Sequence, residues 1–113
     1  MTPLLAAVAA GALGAVLRHV ATVLLPRPWG VLAVNAVACL IAGVGLGLAL
    51  DPATRLVLVS GLCGGLSTFS TFAVETVDDV AAGRTRRAVV SVAANLAVGL
   101  VATVAGAVLG SLA

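Results

Sequence analysis

The residues best placed to do chemistry lie in one run, Gly61-Leu62-Cys63-Gly64-Gly65-Leu66-Ser67-Thr68-Phe69-Ser70-Thr71-Phe72. Seven of these twelve positions are Gly, Ser or Thr, and the run holds both phenylalanines of the chain. Adjacent glycines are poor helix formers, while Ser67 or Thr68 is a good cap for a helix that restarts. The expectation is a helix broken close to Gly65, with residues 64–68 leaving regular coiling. A break frees carbonyls at the end of the first half-helix, which suit a small cation, and N–H groups at the start of the second, which suit an anion. The alternative is a kinked helix whose Ser and Thr side chains bond back to their own carbonyls. Phe69 and Phe72 are three apart and share a face. Aromatics at that spacing are ordinarily core packing, but a benzene ring carries a positive edge. Rings presented edge-on, with the Ser70 and Thr71 hydroxyls alongside, could hold a small anion loosely enough to release it.

Outside this run the polar residues are few. Asn35 sits inside a charge-free apolar stretch, where an amide is expensive unless it meets a partner or water. Small and polar residues recur every four positions at Asn35, Cys39, Gly43 and Gly47, and again at Ser91, Asn95, Gly99 and Thr103, one stripe on one helix face each. Gly11, Gly14, Arg18 and Thr22 follow a similar spacing. The plain reading of these stripes is close helix packing. Cys39 and Cys63 read as buried small hydrophobes, since no second ligand type sits near them. Arg18 lies within the first span, where its side chain can snorkel to anchor the helix. His19 reads as interfacial, with no acid–base partner in view.

These residues need elements to hold them, and the composition says which. The chain has 113 residues, of which 62% are hydrophobic and 9% charged, with a mean hydropathy of +1.27. A soluble domain carries about 25% charge, so the solvent here is lipid. Disorder is excluded by the same numbers. All six basic residues are Arg and the net charge is +2, with no basic stripe and no aromatic ladder, so no nucleic acid is expected as a partner.

Four apolar runs, about 4–25, 29–50, 56–74 and 88–111, form a single four-helix transmembrane domain; at about 1.5 Å per residue each can cross a hydrocarbon core of about 30 Å. Pro26, Arg27 and Pro28 separate the first two, since proline stops a helix behind it and suits the first turn ahead. Asp51-Pro52 opens the next connection, and Glu75 to Arg87 reads as a helix end plus a solvated loop. The first span lacks a positive n-region and is too long for a signal peptide, so it is expected to be retained. Arg27, Arg84, Arg86 and Arg87 fall on one side and Arg55 on the other. By the positive-inside rule the first and third connections face the cytoplasm and both termini the outside. Four short helices enclose little volume, so transport would require an oligomer.

The third-span run resembles the signature of the Fluc (CrcB-type) fluoride channels. Gly11-x-x-Gly14-x-x-x-Arg18 in the first span and Val34-Asn35 with Gly43 in the second are similar to that family too, and the likeness runs through all four spans. The resemblance implies an all-α membrane protein, an antiparallel, dual-topology dimer with two fluoride pathways, and a passive channel exporting fluoride across the cell (cytoplasmic) membrane. It implies a structural sodium ion at the dimer centre, held by main-chain carbonyls that fall on Gly64 and Ser67, where the family usually has Thr for Ser67. The ring-edge fluoride sites fall on Phe69 and Phe72, the pore amide on Asn35, and the hydroxyl track on Ser70 and Thr71. Its continuation on the last helix falls on Ser91 and Asn95, where many members carry Tyr or Asn followed by Ser; this chain has no Tyr. Arg18 matches the family's first-span arginine, which implies a place near a wet vestibule where its charge attracts anions; Glu75 matches an acidic residue that follows the motif, with no role assigned. The partner subunit is a second copy or a paired homologous chain; the Arg bias favours a fixed orientation, the intact pore residues a homodimer.

Two other readings fit the sequence less well. A small multidrug exporter needs a carboxylate inside a span, and none is there. An accessory subunit of a larger complex explains the glycines but not the phenylalanine–hydroxyl run. An enzyme needs a nucleophile with its base, or a metal cluster, and the sequence offers neither.

Overall fold

The computed structural model describes residues 2–113, and every element in it is helical. Helix α1 (Thr2–Leu24) leads to α2 (Trp29–Gly47). A short α3 (Pro52–Arg55) continues into a π-helical segment (Leu56–Cys63) and then α4 (Gly64–Leu66). Helices α5 (Ser70–Ala81) and α6 (Thr85–Ser111) complete the chain. Four stretches are long and apolar enough to cross a membrane: α1, α2, Pro52–Ala81 and α6.

The ends of these elements follow from local chemistry. Helix α1 stops before Pro26, and the Trp29 N–H turns back onto the Pro26 carbonyl at 2.8 Å. Asp51 caps α3, accepting from the Thr54 N–H at 3.3 Å and the Thr54 hydroxyl at 2.6 Å, with Pro52 in the first turn. Those bonds hold the Asp51 carboxyl below its ordinary range. Between α5 and α6 the Gly83 N–H reaches the Val80 carbonyl and the Arg84 N–H the Asp79 carbonyl. This paired closure needs a left-handed residue, and Gly83 supplies it at φ 80°.

Two parallel helix pairs make the bundle. In the first, α1 lies against the π-helical segment and α4; in the second, α2 lies against α6. Both are close backbone contacts. A Cβ on Gly65 would stand 2.1 Å from the Gly11 carbonyl oxygen, and one on Gly43 would stand 2.2 Å from that of Thr103. Apolar area exerts little net drive between helices already in lipid, so this proximity of backbones, with its dispersion contacts, is what holds them. A small core of Val34, Ala38, Cys63 and Leu66, flanked by Ala21, Ile41 and Ala42, sits where the two pairs meet. Most large side chains, among them Leu5, Val23, Leu96 and Leu100, point outward, as lipid as solvent requires.

The α2 and α6 stripes face each other in step. Asn35 meets Asn95, and Gly99 faces the Cys39 sulfur. Gly43 lies on Thr103 and Gly47 on Ala107. Each successive pair is one helical step further along both helices.

The third span departs from regular winding twice. The π-helical turn over Leu56–Cys63 has no signal in the residue types. The interruption itself falls at Ser67–Phe69, where Ser67 is extended at ψ 156°. Gly64 and Gly65, expected to lie within the break, are helical instead. The reason is packing: Gly65 is pressed onto α1 and needs its missing side chain for proximity, not for an unusual backbone angle.

Candidate functional site

The interruption leaves backbone groups that must find partners, and Asn35 supplies them from α2. Its Oδ1 accepts the Thr68 N–H at 2.8 Å, and its Nδ2 donates to the Thr68 carbonyl at 3.2 Å. One carboxamide thus satisfies both polar groups of the residue at the centre of the break. The Thr68 side chain then caps α5, its hydroxyl oxygen accepting the Thr71 N–H at 3.1 Å. Thr68 is buried. By sequence Thr68 is only a possible cap, and its hold by Asn35 is not evident there; an isolated amide within a span, which must meet a partner, is the signal for it.

Because the Thr68 N–H goes to Asn35, it does not close the helical bond to the Gly64 carbonyl. Among the described residues no N–H donates to the carbonyls of Gly64 or Ser67. Both residues line one shallow cavity of about 230 Å³ with Cys39, Cys63 and Thr103. Unbonded carbonyls on a lipid-depth surface are acceptors without a donor, the arrangement in which a small cation is favourable.

A second cavity, about 350 Å³, shares Cys39 and Ser67 with the first and takes in Thr68, Asn35, Phe69, Phe72 and Asn95. The two rings stand 6.3 Å apart between centroids, tilted by 54°. Phe69 is 80% exposed, so its ring presents an edge and a face that this chain does not cover. Asn35 Nδ2 also donates to Asn95 Oδ1 at 3.4 Å, and Asn95 Nδ2 donates to the Ser91 carbonyl at 2.9 Å. The amides form a chain from the break to α6: Thr68, Asn35, Asn95, Ser91. Both N–H groups of Asn35 are therefore engaged, whereas one N–H of Asn95 has no partner among the described residues.

The remaining residues separate. Ser70 is exposed, its hydroxyl 3.4 Å from that of Thr68; Thr71 is half-buried. Ser91 is buried and lines a different cavity nearer the end of the bundle. Arg18 is half-buried, makes no ion pair or side-chain hydrogen bond among the described residues, and lines neither of these two cavities. Glu75 is drawn into an ion pair with Arg27 at 3.3 Å.

The family model described as CrcB-like protein, Camphor Resistance (CrcB), matches residues 5–107. The chain belongs to the CrcB-like family. Among similar CrcB-like proteins, one from Thermobifida fusca named Fluoride-specific ion channel FluC 1 is 42% identical over 112 residues, covering 94% of this chain and 92% of the relative. One from Erwinia tasmaniensis, Fluoride-specific ion channel FluC, is 39% identical over 114 residues, covering 92% and 91%. A third, from Rubrobacter xylanophilus, is 48% identical over 85 residues, covering 74% of this chain and 68% of the relative. With four stretches fit to span a bilayer, this CrcB-like chain is a multi-pass membrane protein.

Proposed function

We propose that the protein is a fluoride-selective channel that lets the ion leave the cell passively. The observation that carries the reading is the interrupted third span. Around one cavity beside the break stand two tilted phenyl rings, Ser67 and Thr68, and the amides of Asn35 and Asn95. Ring edges, hydroxyls and amide N–H groups are partial positive charges. They replace water around a small anion without the tight hold of a formal cation, so the ion enters and leaves. Fluoride that arrives as neutral hydrogen fluoride and ionises inside is then driven out by a membrane potential negative inside.

The anion pathway in this reading comprises Asn35, Phe69, Phe72, Ser70, Thr71, Ser91 and Asn95, with Arg18 at a vestibule. Asn35 acts by positioning, since its amide is committed to Thr68. The exposed Phe69 and the uncovered carbonyls of Gly64 and Ser67 support a second subunit seated on this face in the opposite orientation. The free carbonyls fit a sodium ion, which Gly64 and Ser67 would hold together with their counterparts. A bound sodium ion would supply positive charge to carbonyl acceptors that otherwise lack donors. The bilayer is the cytoplasmic membrane; the positive-inside rule favours the subunit orientation with the arginine-rich connections inside, and the partner subunit is inverted relative to it.

The test is fluoride efflux from liposomes containing the purified protein, followed with a fluoride electrode after the potential is collapsed by a potassium ionophore. Rapid protein-dependent efflux of fluoride with chloride retained is the expected result. Vesicles that hold their fluoride despite correctly inserted protein would sink the reading.

A further inference from the structure

Two cavities meet at one side chain. The central cavity holds the phenyl rings and Asn35; a second, about 390 Å³, lies between the start of α2 and the first turns of α6. The second is lined by the polar Ser91 and Asn95, the apolar Leu32, Val90 and Trp29, and the cationic Arg27 and Arg87. Asn95 lines both cavities, and no other residue is common to the two. Its carboxamide is held by the 2.9 Å bond to the Ser91 carbonyl and the longer 3.4 Å bond from Asn35.

The border is charged but balanced. Arg27 Nε stands 3.3 Å from Glu75 and its Nη2 3.3 Å from Asp78. Arg87 Nε stands 3.5 Å from Asp79, and its Nη2 donates to the Arg27 carbonyl at 2.9 Å. A guanidinium carries five N–H groups in a rigid fork, so these contacts leave donors over, on side chains 51% and 42% exposed. Three carboxylates beside them keep the cavity from being a deep electrostatic well. A small anion would be drawn in by the spare donors yet not trapped, the balance a conducting mouth requires.

We propose that this end cavity is an antechamber for a small monovalent anion, and that Asn95 is the partition through which the ion passes to the central cavity. The inference rests on the channel reading above and adds to it a place where the ion waits and a door. The door opens by rotation of one carboxamide. It breaks the Ser91 bond and the long Asn35 bond, while the N–H of Asn95 that has no partner is the donor that meets the ion. Asn35 cannot do this without releasing Thr68.

Two measurements test it. Asn35 and Asn95 are the only asparagines, and the chain has no glutamine, so protein labelled with 15N-asparagine shows two side-chain amide pairs by NMR. Titrating fluoride should move the Asn95 pair far more than the Asn35 pair. Arg87→Gln should raise the midpoint of that titration at least about threefold, by weakening the antechamber. In liposomes, Asn95→Leu fills the doorway without a donor and should cut fluoride flux at least about tenfold with chloride still retained, whereas Asn95→Ala joins the cavities and should raise the chloride-to-fluoride flux ratio. Opposite effects of the two variants identify a partition. A strut would make both fail alike, and that result, or both conducting like the parent, overturns the proposal, as does an Asn95 amide indifferent to fluoride. If the parent protein passes no fluoride, the channel reading falls, and the amide titration still decides the antechamber.

Discussion

At the scale of single residues, the position that matters most is Asn35, because one carboxamide replaces two backbone hydrogen bonds that the break removes. Asn35→Asp keeps the acceptor for the Thr68 N–H but turns a donor into an acceptor facing the Thr68 carbonyl and Asn95 Oδ1. A buried polar group left without its partner costs about 1–3 kcal/mol, and here two face each other. Fluoride efflux should fall more than about tenfold, the factor that 1.4 kcal/mol represents, and liposome flux measures it. Phe69→Ile keeps an apolar side chain of similar reach but removes the ring edge, so flux should fall while the protein elutes as the parent does. Normal conduction by both variants would move the ion's route elsewhere.

At the scale of elements, the stability of the bundle rests on backbone proximity between α2 and α6. Gly43 and Gly99 separate proximity from mere composition, since both are glycines on facing helices. A Cβ at Gly43 would stand 2.2 Å from a carbonyl oxygen, while one at Gly99 would rest at 3.5 Å from the Cys39 sulfur, an ordinary contact. Gly43→Ala should therefore destabilise by about 1–3 kcal/mol through overpacking, and Gly99→Ala should be near neutral or slightly stabilising, because Ala is the better helix former. Unfolding in mixed micelles followed by circular dichroism reads the difference. Equal effects at the two positions would mean that the helices do not approach as described.

At the scale of the whole molecule, one end is tied together and one face is left uncovered. Arg27 joins the first connection to Glu75 and Asp78, while Asp79, buried, receives both Arg84 and Arg87. The uncovered face carries Phe69, Gly64 and Ser70. If a second subunit and a sodium ion complete that face, purification with a bulky organic cation in place of sodium should lower the dimer fraction, read by multi-angle light scattering. A dimer fraction that ignores the cation removes the ion from the proposal.

Much of this was legible in the chain. The four apolar runs, the prolines between them and the run from Gly61 to Phe72 are local properties, set by solvent preference and by what each residue type does to its own backbone. The stripes at Asn35 and Ser91 were visible because helical spacing is intrinsic to a segment. Only the tertiary structure decided that those stripes run parallel and in step, that the interruption falls at Ser67 and not at the glycines, and that Asn95 stands between two cavities. Gly65 could have served a break or a contact. Which of these it serves depends on how near α1 comes, and that distance is a property of two segments together, which neither carries alone.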